Sequence, residues 1–124
     1  MEEYQKLRAE VGWGTKNSEA IRLALSNSLF SVCVMSENNI IGFGRVIGDG
    51  GIYLYVQDII VLPEFQGQGI EKCIMSAVMG YLNTHAFPGT FVGLMAAKEV
   101  SGFYEKFGFV KRPLEGPGMF KIMQ

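Results

Sequence analysis

The sequence predicts one α+β (mixed α/β) domain over residues 1–124, a mostly antiparallel central sheet flanked by helices. Three observations carry this. Apolar runs of strand character follow one another between Phe30 and Leu62, divided by Glu37-Asn38-Asn39 and by Asp49-Gly50-Gly51. Both dividers favour turns, so consecutive runs pair as hairpins. From Gly69 onward the apolar period lengthens from two to 3.6, the mark of a helix, and shorter strand and helix signals then alternate. Finally, a 48% apolar composition over 124 residues supplies one core, with no internal repeat and no linker to divide it.

Each element has its own reason. Residues 2–10 suit a short helix that Val11-Gly-Trp-Gly14 breaks. Asn17 or Ser18 can cap a second helix through Asn27, with Ala20, Leu23 (or Ala24) and Asn27 on one face. Strands are expected at Phe30–Ser36, Ile40–Ile47 and Ile52–Leu62, the last closed by Pro63, which has no N–H for the ladder. Ile70, Ile74, Ala77, Val78, Tyr81 and Leu82 line one face of a long helix ending near Thr84. After the loop at Phe87-Pro88-Gly89 come a strand at Phe91–Met95 and a short helix from Val100 to Phe107, stopped by Gly108. Phe109-Val110 and Met119–Met123 read as closing strands, joined by the Pro/Gly-containing loop Arg112–Gly118.

Charge narrows the function. Eleven basic residues against twelve acidic ones leave a net of −1, and no basic run or zinc-finger spacing occurs, so nucleic acid is not an expected partner. Cys33 and Cys73 lie inside regular elements and read as small buried apolar residues of a reducing compartment. His85 is the only histidine, and no metal site is expected. The charged N-terminal stretch does not resemble a signal peptide, and no apolar run reaches membrane-spanning length; a cytoplasmic protein is the expectation.

Gln66-Gly67-Gln68-Gly69 stands between the third strand and the long helix. The first N–H groups of a helix lack intrahelical partners, and glycines let a ligand come close to the backbone, so this stretch can hold an anion. Taken alone it can equally be a tight turn. No Gly-Lys-Ser/Thr follows, and there is no parallel βαβ repeat of the kind a dinucleotide fold needs.

Asp58-Ile-Ile-Val-Leu-Pro-Glu-Phe-Gln-Gly-Gln-Gly-Ile70, with Phe103-Tyr-Glu-Lys-Phe-Gly-Phe109 some thirty residues on, resembles the GCN5-related N-acetyltransferase (GNAT) superfamily, and in particular its small bacterial members. Gly44 to Asp49 adds to the likeness, which covers nearly the whole chain. The family places a further strand before its first helix, for which this chain leaves little room. The resemblance implies an acetyl-CoA-dependent N-acetyltransferase that passes the acetyl group to a primary amine by direct attack, through a tetrahedral intermediate. It implies that the backbone of Ile59, Ile60 and Val61 pairs with the pantetheine arm of acetyl-CoA, and that the amides of Gln66, Gly67, Gln68, Gly69, Ile70 and Glu71 take the pyrophosphate.

By the same resemblance Tyr104 is the general acid for the departing thiolate, against the plainer reading of a packed tyrosine. Asp58, a charge within an apolar strand, is open between two roles: substrate-ammonium site or base, and a buried structural hydrogen bond. Trp13 can line the acceptor mouth or pack as a lid or core residue. Two positions depart from the family pattern. Ala97 stands where an asparagine contacts CoA, and Glu71 where the motif ends in glycine or alanine; Lys72 and Lys98 are the nearest offsetting charges. A non-catalytic acyl-CoA-binding or regulatory module is the alternative function. A homodimer through the C-terminal strands is compatible with either.

Overall fold

Among the described residues four strands, Phe30–Ser36 (β1), Asn39–Gly48 (β2), Tyr53–Val61 (β3) and Phe91–Gly93 (β4), make the sheet on which the helices rest, hydrogen-bonded in that order. The computed structural model describes residues 2–96, 101–113, 115, 116 and 118–124. Helix α1 (Glu2–Glu10) has two glutamates in its first turn and Arg8 in its last, the charge order that complements the helix dipole. Helix α2 (Ser18–Ser26) is capped by Asn17, whose side chain accepts the Ala20 N–H at 3.0 Å. Its inward face is shifted by one position from the expected one. Ile21 is buried, with Ala24 and Leu25 partly so, while Leu23 is exposed. Ile21, Ala24 and Leu25 also recur at helical spacing, and they bring more apolar bulk to the sheet.

Strands β1 (Phe30–Ser36), β2 (Asn39–Gly48) and β3 (Tyr53–Val61) pair antiparallel, close to the predicted spans. The β1–β2 turn uses two residues, Glu37 and Asn38, both at positive φ, which is the primed turn that matches strand twist. In the β2–β3 turn one Asp49 oxygen accepts the N–H groups of Gly51, Ile52 and Tyr53. Those donors, Gly51 foremost, hold its carboxyl below the usual carboxylate range. Gly48 is required there, because at its φ of 141° a Cβ would lie 2.2 Å from the Tyr53 carbonyl oxygen.

The two faces of β2 differ in kind. Ile41 and Phe43 join Tyr4, Leu7 and Ile21 in a core beneath α1 and α2. Alternating with them, Gly42 and Gly44 face α3 (Ile70–His85), whose Ile74, Met75, Val78 and Leu82 are buried against Val46, Leu54 and Val56. A Cβ on Gly44 would meet Ile74 at 2.7 Å and Ile59 at 2.8 Å, so α3 reaches the sheet only because no side chain stands there.

After α3 the chain returns as β4 (Phe91–Gly93), parallel to β3, and then α4 (Ser101–Glu105). β4 is two residues shorter than expected. The predicted start of the last helix at Val100 lies outside the described residues, as do Ala97, Lys98, Leu114 and Pro117. The expected closing strands are not formed among the described residues. Val110, Met119, Phe120 and Met123 are 79–91% exposed, and a stretch of strand-like sequence becomes a strand only where a ladder partner satisfies its backbone. The expected burial of the cysteines is also corrected: Cys33 lies on the exposed phase of β1 and Cys73 on the outer side of α3, and both are exposed.

Gly44→Ala forces a methyl into a contact with the fully buried Ile74. It is expected to lower unfolding stability by about 1–3 kcal/mol, read as a reduced urea midpoint at unchanged m-value.

Candidate active site

Residues Asp58 and Ile59 of β3 both stand opposite Gly44 of β2, since Phe43 pairs with Ile60 while Arg45 pairs with Gln57. This is a bulge, and it reverses the alternation of the strand. Leu54 and Val56 face α3, yet Asp58, Ile60 and Leu62 face α1, with Ile59 and Val61 now on the α3 side. Asp58 takes the left-handed backbone conformation (φ 59°), uncommon for a residue with a side chain and costing about 1–2 kcal/mol.

What holds it there is a cluster of donors. The Tyr4 hydroxyl donates to Asp58 Oδ2 at 2.6 Å, and Arg45 Nε donates to the same oxygen at 2.7 Å. Gln57 Nε2 reaches Oδ1 at 3.2 Å, and the Arg8 guanidinium lies 3.7 Å from it. Arg45 also donates to the Ala24 carbonyl and the Ser28 hydroxyl, which ties the group to α2. Asp58 is 3% exposed, so these partners replace the hydration it gives up. Burial, and then the hydrogen bond to Asp58, push the Tyr4 phenol above its usual value. Arg8 in turn stacks over Trp13, ring centroid 5.4 Å away, and donates to its carbonyl; Trp13 is held at the surface rather than in the core.

The bulge lies where β3 loses a neighbour. The β3–β4 ladder ends at Tyr55↔Gly93, whereas β3 continues six residues further, to Val61. Along that stretch the side chains of Ile59, Ile60 and Val61 fill the two cores, leaving the backbone edge on the β4 side without a ladder partner among the described residues. At its end Gln66 Nε2 donates to the Val61 carbonyl at 3.0 Å, and Gln68 Nε2 to the Glu64 carbonyl at 3.4 Å. These two side chains fold back toward the strand. Gly67 and Gly69 are left-handed, φ 79° and 83°, and no atom lies within 4 Å of a Cβ placed on either, so the space before them is open. Gly69 begins α3 with no side-chain cap, so the first N–H groups of that helix remain available, with the positive end of its dipole.

Tyr104 lies on the α3 side, half-buried, in edge contact with Phe103 (5.1 Å) and Phe109 (6.4 Å). Burial pushes its phenol above the usual value, and the charge of Glu71 in the first turn of α3 raises it further. The structure thus brings Tyr104, Glu71, Ile59 and Ile70 to one face of the sheet and sets Asp58 on the other, with the β3 backbone between them. Sequence reasoning found Asp58 but missed its partners Tyr4, Arg8 and Arg45. The available signals were an arginine within an apolar strand and a tyrosine–arginine pair at i, i+4.

A strand edge left open beside a bulge, leading to a glycine-rich helix start, is a slot suited to an extended ligand with an anionic end. Proteins of known family have the same arrangement of elements. A family profile described as Acetyltransferase (GNAT) domain matches residues 27–111. The uncharacterized N-acetyltransferase ycf52 of Porphyra purpurea is 30% identical over 122 residues, spanning 95% of this chain and 69% of that protein. Among solved structures, SA2161 of meticillin-resistant Staphylococcus aureus, a protein of unknown function and probable acetyltransferase, superposes with a TM-score of 0.91 at 36% identity, covering 98% of this chain and 92% of that one. The GNAT family protein SP0256 of Streptococcus pneumoniae follows at TM-score 0.78 and 32% identity, covering 99% and 90%. The chain belongs to the GNAT acetyltransferase family, whose fold implies acyl-CoA binding.

Tyr4→Phe removes one hydrogen bond to a buried charge and is expected to cost about 1.5–3 kcal/mol. Because the folded state raises the Tyr4 pKa, its neutral phenol contributes stability in full below pH 10.0, and this is lost as the pH climbs through the raised value. Thermal melts across the alkaline range should therefore show a shallower decline for Tyr4→Phe than for the native chain.

Proposed function

We propose that this protein is an acetyl-CoA-dependent N-acetyltransferase that acts on a primary amine. The observation that carries the reading is the end of the β3–β4 ladder at Tyr55, beside the bulge and in line with the open loop at Gly67 and Gly69. In this reading the backbone of Ile59 to Val61 pairs with the pantetheine arm, and the amides from Gln66 to Glu71 receive the pyrophosphate. The space before the two glycines is open, and the absence of a Cβ there lets an anionic group approach the backbone amides.

Acetyl-CoA supplies an activated thioester; the chain supplies position and charge. A backbone N–H at the bulge stands by the carbonyl oxygen as it gains charge. The amine nitrogen bonds to the acyl carbon, the carbon–sulfur bond breaks, and the thiolate takes the Tyr104 proton. Of the two roles open to Asp58, its contacts with Tyr4, Arg45 and Gln57 favour the structural one, and the ammonium proton passes to water. Tyr104 suits proton donation because burial and the nearby Glu71 both keep its phenol protonated through neutral and into alkaline pH.

Glu71 favours a second reading, an acyl-CoA-binding module without efficient transfer. Its charge is close enough to raise Tyr104 and lies in the same helical turn as the loop that would hold the diphosphate. Calorimetry with acetyl-CoA, followed by thiol release with a panel of amines, separates the two: binding with turnover supports the transferase, binding without turnover the module, and no binding defeats both. Given turnover, Tyr104→Phe is expected to lower kcat by roughly 10²–10⁴-fold. On the alkaline side, activity in the native enzyme should fall as pH rises through the raised Tyr104 value. Glu71→Gln removes one cause of that rise and should move the alkaline limb to lower pH.

A further inference from the structure

Tyr53, Tyr55 and Phe91 belong to neither of the two cores. Tyr53 and Tyr55 alternate with Leu54 and Val56, so their rings lie on the face of the sheet opposite α3, where Asp58 also points. β4 brings Phe91 to the same face, in edge contact with Tyr53 at 6.0 Å. Gly93 lies between the rings: a Cβ on it would stand 3.0 Å from Phe91 and 3.3 Å from Tyr55. Tyr53 and Phe91 are exposed, while Tyr55 is half-buried, and burial pushes its phenol above the usual value. Tyr55 and Gly93 are the last pair of the β3–β4 ladder, so this aromatic wall borders the slot where it opens. Gln57 continues the same face toward Asp58. A carboxylate only accepts, so the Gln57 amide must turn its Nε2 to Asp58 and point its carbonyl oxygen elsewhere.

We propose that the acceptor is a primary amine joined by a short linker to one uncharged aromatic ring, the ring lying against Tyr55 and Phe91 and the amine donating to the Gln57 carbonyl oxygen. This rests on the transferase reading above. Tyr104 and α3 occupy one side of the slot, which leaves the acceptor the side of the aromatic wall. Exposed rings at an angle to one another offer a further ring offset or edge contacts. Tyr53, Tyr55, Phe91 and Gly93 carry no charge, so a polyamine or an amino sugar would leave its additional ammonium or hydroxyl groups without partners there. Gln57 and Tyr55 are two residues apart, about 7 Å along the strand. That spacing suits an arylethylamine, with its nitrogen at one end and its ring at the other.

The test follows thiol release from acetyl-CoA with 2-phenylethylamine, n-butylamine and spermidine, each counted on its free-base concentration. The expected kcat/KM for 2-phenylethylamine is roughly tenfold or more above the other two. Tyr55→Ala and Phe91→Ala should each shrink the ratio of phenylethylamine to butylamine by roughly 2–10-fold. Being a ratio, this readout cancels any loss of folded enzyme. Gln57→Leu should raise KM for both monoamines alike, whereas a Gln57 that only braces Asp58 would change the thermal melt and leave KM in place. Equal kcat/KM for phenylethylamine and butylamine means that the wall is unused or covered by protein, and it overturns the proposal while the transferase stands. A preference for spermidine does the same, as does a preference for phenylethylamine that survives both alanine variants. Turnover of no amine at all overturns the proposal and the transferase reading together.

Discussion

The hydrogen bonds that Tyr4 and Arg45 donate to Asp58 join α1, α2, β2 and β3 at the point where the third strand takes in an extra residue. Without that anchor the left-handed backbone at Asp58 has only its cost. With it, one strand serves two cores: Leu54 and Val56 above, Ile60 and Leu62 below. The same bulge lies just beyond the last β3–β4 pair, so the residue count that satisfies the packing also marks where the sheet opens. Packing and the point where the sheet opens both depend on one carboxylate.

The opposite face is arranged by absence. Gly42 and Gly44 put no side chains under the first turns of α3, and Ile70 and Ile74 come down onto the sheet there. The helix start, with its available N–H groups, is thereby fixed against β2 and β3 rather than carried on a separate loop. Glu71 and Tyr104 meet across this region, so the electrostatics of the helix start and of the phenol are one problem. A charge in the first turn steadies the helix through its dipole and at the same time opposes any anion brought to that end.

Periodicity and caps made most of the fold legible. Asn17, the two hairpin turns, Pro63 and the change of period at Gly69 each act over a few residues, and the elements they bound fall within a residue or so of the expected spans. What depended on distant partners was not legible. Cys33 reads as buried from its apolar neighbours, but burial belongs to one phase of β1, and only the neighbouring elements decide which. The closing strands failed for a related reason, since a ladder partner is not a local property. In the candidate site, the glycines and Tyr104 were found by motif and Asp58 by its charge. Its partners Tyr4, Arg8 and Arg45 sit 54, 50 and 13 residues away in the chain, too far for spacing to reveal.

Asp58 also bears on which registers the folding chain can reach. An unbulged β3 would keep strict alternation, and residue 58 would then follow Leu54 and Val56 onto the face packed by Ile74, Met75 and Val78. A carboxylate delivered there finds apolar neighbours instead of Tyr4 and Arg45, at a desolvation cost far above that of the left-handed turn. The slipped pairing is penalised wherever it forms, during synthesis as much as at equilibrium. In this strand the charged residue acts as a key that fits only one pairing.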